Sequence, residues 1–116
     1  MATIDPRIRL TVVWLQKHLA AGDYVAVERF TKGVRLSESQ LQQGISDYGQ
    51  SLVMPPDRVL DQLDVIEVVG SSPKRWSVRI DLWTAAEGRS DLSLECTLID
   101  QPGELLAVEV DNLHVL

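Results

Sequence analysis

Apolar residues in the first part of the chain recur every three or four positions, which is the spacing of an amphipathic helix. The first stripe consists of Ile8, Val12, Leu15 and Leu19. Asp5-Pro6 stands just before it, an N-cap residue followed by proline at the first helical position. Gly22 follows this stripe and is a residue type that commonly ends helices. The pattern therefore predicts a helix over about 6–21.

Two shorter helices are predicted next. Asp23 can cap the second, which Gly33 would end. The third begins with a capping box, in which Ser37 accepts from the backbone amide of Gln40 and the Gln40 side chain reaches back. Residues 34–36 between these helices are predicted to be a short extended piece.

The segment after the third helix breaks regular structure. Pro55-Pro56 is incompatible with a continuing helix or central strand. Asp57 is expected to cap one further helical turn, which would run through Gln62.

From Leu63 onward the apolar period changes to two, which predicts strands at 63–69, 75–83, 91–99 and 105–115. Short connections make consecutive strands antiparallel neighbours. The predicted fold is α+β, with three N-terminal helices packed on a four-stranded curved antiparallel meander. One domain is predicted over 1–116, with a helical part at 5–62 and a sheet part at 63–116.

Alternation divides the predicted sheet into an aliphatic inner face and a charged outer face. The inner positions are Trp76, Val78, Ile80, Leu82, Leu92, Leu94, Cys96, Leu98, Leu106, Val108 and Val110. A pocket enzyme needs ionisable groups in a partly dry cavity. Charged groups on an outer face are instead expected to be screened by water. The pattern therefore favours a binding surface, and no catalytic residue is assigned.

The charge of the chain is concentrated in the predicted sheet. Residues 1–62 hold seven basic and seven acidic side chains, whereas residues 63–116 hold four and ten, which gives this part a balance of −6. No basic residue follows Arg89. Such a surface repels phosphates, so nucleic-acid binding is disfavoured. It would attract a basic protein, although acidic strands also simply keep a protein soluble.

One outer-face residue has two interpretations. Trp83 lies among charged positions, where an exposed tryptophan is typical of an interface anchor. Alternatively, it packs under the loop at 85–89. Arg79 is expected to pair with Glu95 or Glu109 across the strands. The predicted partner-binding set is Trp83, Asp81, Asp91, Glu95, Glu109 and Asp111.

Other reactive side chains are sparse. Cys96, the single cysteine, is expected to be buried and inert. His114 follows Asp111-Asn112, where the alternation shifts, and a bulge there would keep Leu113 and Val115 in the core. The histidines and the cysteine lack metal-site spacing, so no metal or cofactor is expected. A possible pocket at the open end of the sheet would be lined by Trp14, Tyr24, Tyr48, Trp76 and His114.

The order of the predicted elements resembles the small cone-shaped folds of the nuclear transport factor 2-like superfamily. The stretches 88–95 and 110–116 are also similar to the end of a group of small uncharacterised bacterial domains. The superfamily contains isomerases and hydrolases with polar groups inside the cone, and also non-catalytic binding and immunity proteins. Because the inner positions are aliphatic here, the resemblance implies a binding member.

The leading hypothesis is a non-catalytic protein-binding module, most concretely an immunity-type protein that neutralises a basic bacterial toxin. The alternatives are a small-molecule-binding protein or enzyme that uses the open end of the cone, and a homodimeric interaction domain. The protein is expected to be a monomer or homodimer. The first residues show no signal-peptide pattern and no apolar run is long enough to span a membrane, so a cytoplasmic location is expected.

Overall fold

Three helices precede an antiparallel sheet in the fold. The computed structural model describes residues 5–33 and 35–115. The helices are Pro6–Ala20 (α1), Tyr24–Thr31 (α2) and Glu38–Tyr48 (α3), followed by the single turn Asp57–Leu60 (α4). The α+β class predicted from the sequence is confirmed.

The helix boundaries follow the predicted caps. The Asp5 carboxylate accepts from the amide of Arg7 at the start of α1. At α3 both bonds of the capping box are present: Ser37 Oγ accepts from Gln40 N at 3.3 Å, and Gln40 Oε1 accepts from Ser37 N at 2.9 Å. Gly49 ends α3 in the left-handed conformation, with φ 80°.

Two local predictions between the helices were wrong. Val34 lies outside the described residues, but Arg35 has φ 70°, a left-handed rather than an extended conformation. The predicted extended piece is therefore not a strand. Asp57 is the first residue of α4 rather than its cap, because Pro56 takes the N-cap position.

Within the described residues the sheet has five strands, one more than predicted. They are Leu52–Val53 (β1), Asp64–Glu67 (β2), Arg75–Thr84 (β3), Gly88–Ile99 (β4) and Ala107–Val115 (β5). The last four form the predicted antiparallel meander. β1 and β2 both pair with the edge of β3 that faces away from β4.

The core lies between the three helices α1–α3 and the inner face of the sheet. The predicted inner positions of β3, β4 and β5 are all buried, together with the apolar stripe of α1. Thr11 joins the two layers, because its Oγ1 donates to Arg7 O and accepts from Leu106 N at 3.0 Å. Opposite this core, the outer face of the sheet carries the polar residues.

No helix within 5–33 and 35–115 combines the length and the apolar character needed to cross a bilayer.

Candidate functional site

A bulge in β5 determines which residues reach the outer face. Val110 lies opposite Cys96, whereas Asn112 lies opposite Glu95, so Asp111 is the extra residue. After the bulge the alternation is inverted. His114 therefore lies opposite Ser93 on the outer face.

The bulge at Asp111 confirms the shift predicted from the sequence. Leu113 packs against the core as expected. Val115, in contrast, is 60% exposed, so its predicted place in the core was wrong. It lies at the last described position of β5, opposite Leu92.

Three carboxylates, which we call the acidic strip, follow the outer face of β4 and β5: Glu95, Glu109 and Asp111. Asp111 is already engaged, since its Oδ2 accepts from Thr97 Oγ1 at 2.7 Å and its Oδ1 lies 2.9 Å from Arg35 Nε. Glu95 and Glu109 are half-buried. Among the described residues no cation lies within ion-pairing distance of either.

The predicted ion pair of Arg79 with the acidic strip was wrong. Arg79 lies opposite Glu95 in the register. However, its Nε lies 4.0 Å from carboxylate oxygens of both Asp64 and Asp81. The guanidinium thus turns toward β2 and its own strand, which leaves Glu95 without a cation.

Asp81 is less exposed than an outer-face carboxylate was expected to be. Only 19% of its side chain is accessible. Arg79 approaches Oδ1 at 4.0 Å and Arg89 approaches Oδ2 at 3.7 Å. Oδ1 is buried and has no hydrogen-bond partner. The expectation that water screens every charged group on this face was therefore wrong for Asp81, because arginines flank it.

Trp83 packs against its own hairpin. A Cβ built on Gly88 would lie 3.5 Å from the indole ring, and the Arg58 guanidinium lies 5.9 Å from the ring centroid. The side chain is half-buried, and its Nε1 is buried without a partner. These contacts match the interpretation in which Trp83 packs under the 85–89 loop.

Sequence reasoning did not identify Ser93, which lies directly opposite Asp81. Ser93 is 0% exposed and its Oγ has no hydrogen-bond partner. Asp81 and Trp83, two residues apart on β3, likewise each have one buried polar atom without a hydrogen-bond partner among the described residues. Ser93 lies between Asp81 on β3 and His114 on β5 in the sheet register, neighbours that a local pattern does not specify.

Asp91 belongs to the rim of the hairpin rather than to the acidic strip. It is exposed, and its backbone amide donates to Tyr48 Oη at 3.3 Å. The same hydroxyl donates to Glu87 Oε2 at 2.9 Å. Tyr48 therefore connects the end of α3 to the β3–β4 hairpin.

The structure disperses the other residues of the predicted pocket. Trp14 stacks on His18 with ring centroids 4.0 Å apart, and makes a tilted contact with Phe30 at 4.4 Å between centroids. Trp76 is buried in the core and His114 lies on the outer face. Tyr24 lines a surface cleft between the end of α1 and β1. Trp76 and His114 therefore lie on opposite sides of the sheet, and the five side chains stay a prediction as a shared lining.

A different cleft opens beside Asp81, where β3 is unpaired between β1 and β2. Its volume is about 270 Å³. Four charged side chains and one buried amide contribute to its wall: Asp64, Arg79, Asp81, Arg89 and Gln16. The amide comes from α1, so the cleft reaches from the outer face to the helical layer.

The single cysteine is 1% exposed and lies on the inner face. Burial raises the pKa of the Cys96 thiol, and the nearby charges of Asp111 and Glu95 raise it further. Such a thiol is a poor nucleophile. Within the described part of the chain, no three His, Cys, Asp or Glu side chains are grouped as metal ligands.

Comparisons with known proteins give one family and no function. Neither a curated protein nor a solved structure matched the chain. A family model described as a domain of unknown function, DUF7668, matches residues 16–116, which include all of the sheet and most of the helical part. The chain belongs to this DUF7668 domain family.

Proposed function

We propose that the protein is a non-catalytic binding module that holds a basic protein partner against the acidic strip. One observation carries the proposal: Glu95 and Glu109 are half-buried carboxylates without a cation among the described residues. Thr97 is directly opposite Glu109 and two residues from Glu95, so the two carboxylates are diagonal neighbours on adjacent strands.

Two half-buried carboxylates on adjacent strands without counter-charges form a negative site that favours a cation. A lysine or arginine from a partner would supply that cation, and desolvation at an interface would strengthen the contact. On this basis Glu95 and Glu109 are the main proposed contacts of the partner, because two other predicted contact residues already have cations nearby. Asp111 already contacts Arg35, and arginines flank Asp81.

The surrounding charge supports a basic partner. Of the six acidic residues after Arg89, only Asp100 and Asp111 form ion pairs within the described residues. Long-range attraction from the other four would speed encounter with a cationic protein. In its most specific form, the proposal is an immunity-type protein that neutralises a basic bacterial toxin. The resemblance to cone-shaped binding proteins agrees with this form and stays a prediction.

Paired capture experiments test the proposal. Immobilised wild-type protein and the Glu95→Gln/Glu109→Gln variant are exposed to lysate of the native host at low and moderate salt. We expect a basic protein that the wild type retains, that moderate salt weakens and that the variant loses. Capture of the same proteins by both baits, or of no basic protein at low salt, would contradict the proposal.

A further inference from the structure

The cleft beside Asp81 exists because two strands share one edge of β3 and leave a gap. β2 pairs with Trp76–Arg79 and β1 with Trp83 and Thr84. No described strand therefore pairs with Ile80, Asp81 or Leu82 on that edge. The cleft of about 270 Å³ occupies this gap, a size suited to a ligand smaller than a typical drug.

The backbone of Asp81 also faces the gap. The carbonyl of Leu82 points to β4, where it accepts from Ser90 Oγ at 2.6 Å. Peptide groups of consecutive residues in a strand point to opposite edges. The N–H and C=O of Asp81 therefore point to the edge that holds the cleft.

Two polar side chains that line the cleft come from separate elements, and each has a buried atom without a hydrogen-bond partner among the described residues. Gln16 on α1 is 4% exposed, and its Nε2 has no hydrogen-bond partner. Asp81 Oδ1 on β3 is likewise buried and unpartnered. Buried polar groups are nearly always hydrogen-bonded in folded proteins. Both atoms are covered from solvent, so a ligand that accepts from the Gln16 amide and donates to the Asp81 carboxylate would satisfy them after the two side chains rotate toward the cleft.

The charges in the wall balance, with two carboxylates and two guanidiniums. The Nε atoms of Arg79 and Arg89 lie 3.7–4.0 Å from the oxygens of Asp64 and Asp81. These separations exceed hydrogen-bond length, so the guanidiniums keep free donors. Their planar groups suit a carboxylate, whereas the aspartates suit an ammonium.

Apolar side chains complete the wall of the cleft. Val59 and Leu63 approach from the α4 segment, and Ile80 comes from β3. We propose that this cleft binds a free α-amino acid with an aliphatic side chain. Its carboxylate lies at Arg79 and Arg89, its ammonium at Asp81, and its side chain on the apolar wall. The site shares no residue with the acidic strip, and its ligand binding does not depend on a protein partner.

Nuclear magnetic resonance of the ¹⁵N-labelled chain tests the proposal with three probes. L-leucine carries both charged groups, 4-methylpentanoate lacks the ammonium, and 3-methylbutylamine lacks the carboxylate. We expect saturable shifts of the Gln16 side-chain amide and the Asp81 backbone amide with leucine. Either truncated probe should bind at least about tenfold more weakly. The Gln43 side-chain amide, bonded to Asp47, is the internal reference.

Two arginine variants distinguish binding at the cleft from a nonspecific effect of net charge. Arg89→Gln removes one proposed carboxylate donor from a side chain that is 73% exposed, so folding should be retained. We expect leucine to bind this variant at least about tenfold more weakly, and the exposed control Arg29→Gln to bind as the wild type. Absence of a saturable shift with leucine, equal binding of the three probes, or unchanged binding by Arg89→Gln would overturn the proposal.

Discussion

Thr97 and Asp111 are joined across β4 and β5 by a hydrogen bond of 2.7 Å from Oγ1 to Oδ2. Asp111 is the extra residue of the β5 bulge. The bond therefore fixes the bulge, which is the position at which the inward and outward alternation of β5 side chains inverts. Leu113 turns to the core and His114 to the outer face because of this one residue.

Substitutions of Thr97 and of Asp111 should each reduce stability, and their effects should be coupled because both remove the same bond. We expect Thr97→Val to lower the free energy of unfolding by about 1 kcal/mol. Asp111→Ala should cost more, because Arg35 also loses its partner. In a double-mutant cycle the two changes should be less than additive by at least about 0.5 kcal/mol. Urea denaturation measures the effects, with Thr97→Ser as a control that keeps the hydroxyl. Strict additivity would show that the bond contributes nothing.

The two tyrosines provide a matched pair for testing the hairpin contact. Tyr48 Oη bonds to Glu87 Oε2 and to the amide of Asp91, whereas the Tyr24 hydroxyl has no hydrogen bond within the described residues. We expect Tyr48→Phe to lower the unfolding free energy by about 1 kcal/mol, and Tyr24→Phe to change it by under about 0.5 kcal/mol. Equal effects in thermal or urea denaturation would be evidence against the link between α3 and the hairpin.

Gly44 is a tight packing position in α3. A Cβ built there would lie 2.7 Å from Leu113 Cδ2. Alanine normally stabilises a helix interior relative to glycine by about 1 kcal/mol. We expect Gly44→Ala to lack this gain, because Leu113 must move.

In the Leu113→Ala background, Gly44→Ala should regain about 1 kcal/mol. Chemical denaturation of the four proteins measures this difference. An equal gain in both backgrounds would contradict the close contact between α3 and β5.

The Cys96 thiol should make stability fall at alkaline pH. Its pKa is raised in the folded state, mainly by burial. Above about pH 8.5 the unfolded chain therefore releases the thiol proton while the folded chain retains it. The unfolding free energy should then fall by up to about 1.4 kcal/mol per pH unit. Cys96→Val should lack this part of the slope. Identical pH profiles of the two proteins, or rapid reaction of the native thiol with a disulfide reagent, would contradict the burial.

Helix caps and the alternation of apolar residues, which are local features of the sequence, were sufficient to predict the three main helices and the four longer strands. Caps at Asp5, Asp23 and Ser37 are local signals, and alternation assigned the inner positions of three strands correctly. β1 was missed because two residues, Leu52 and Val53, are too few to display a period. Its pairing with β3 depends on contacts distant in sequence, which a local pattern does not encode.

The candidate sites were predicted only in part. Alternation placed Glu95 and Glu109 correctly on the outer face. The cleft was missed because it depends on a gap between β1 and β2 and on Gln16 from α1. Similarly, the burial of Asp81 depends on where the flanking arginines turn. These are tertiary relationships, and charge along the sequence does not specify them.

The most direct test of the proposed function is the association rate constant with the captured basic partner. Glu95→Lys/Glu109→Lys should lower it by at least about tenfold at low salt and flatten its salt dependence. The control Asp47→Lys/Glu104→Lys makes the same change in net charge at two exposed positions outside the strip, and should have a clearly smaller effect. If both double variants slow association equally, net charge alone explains the attraction and the acidic strip is not the binding surface.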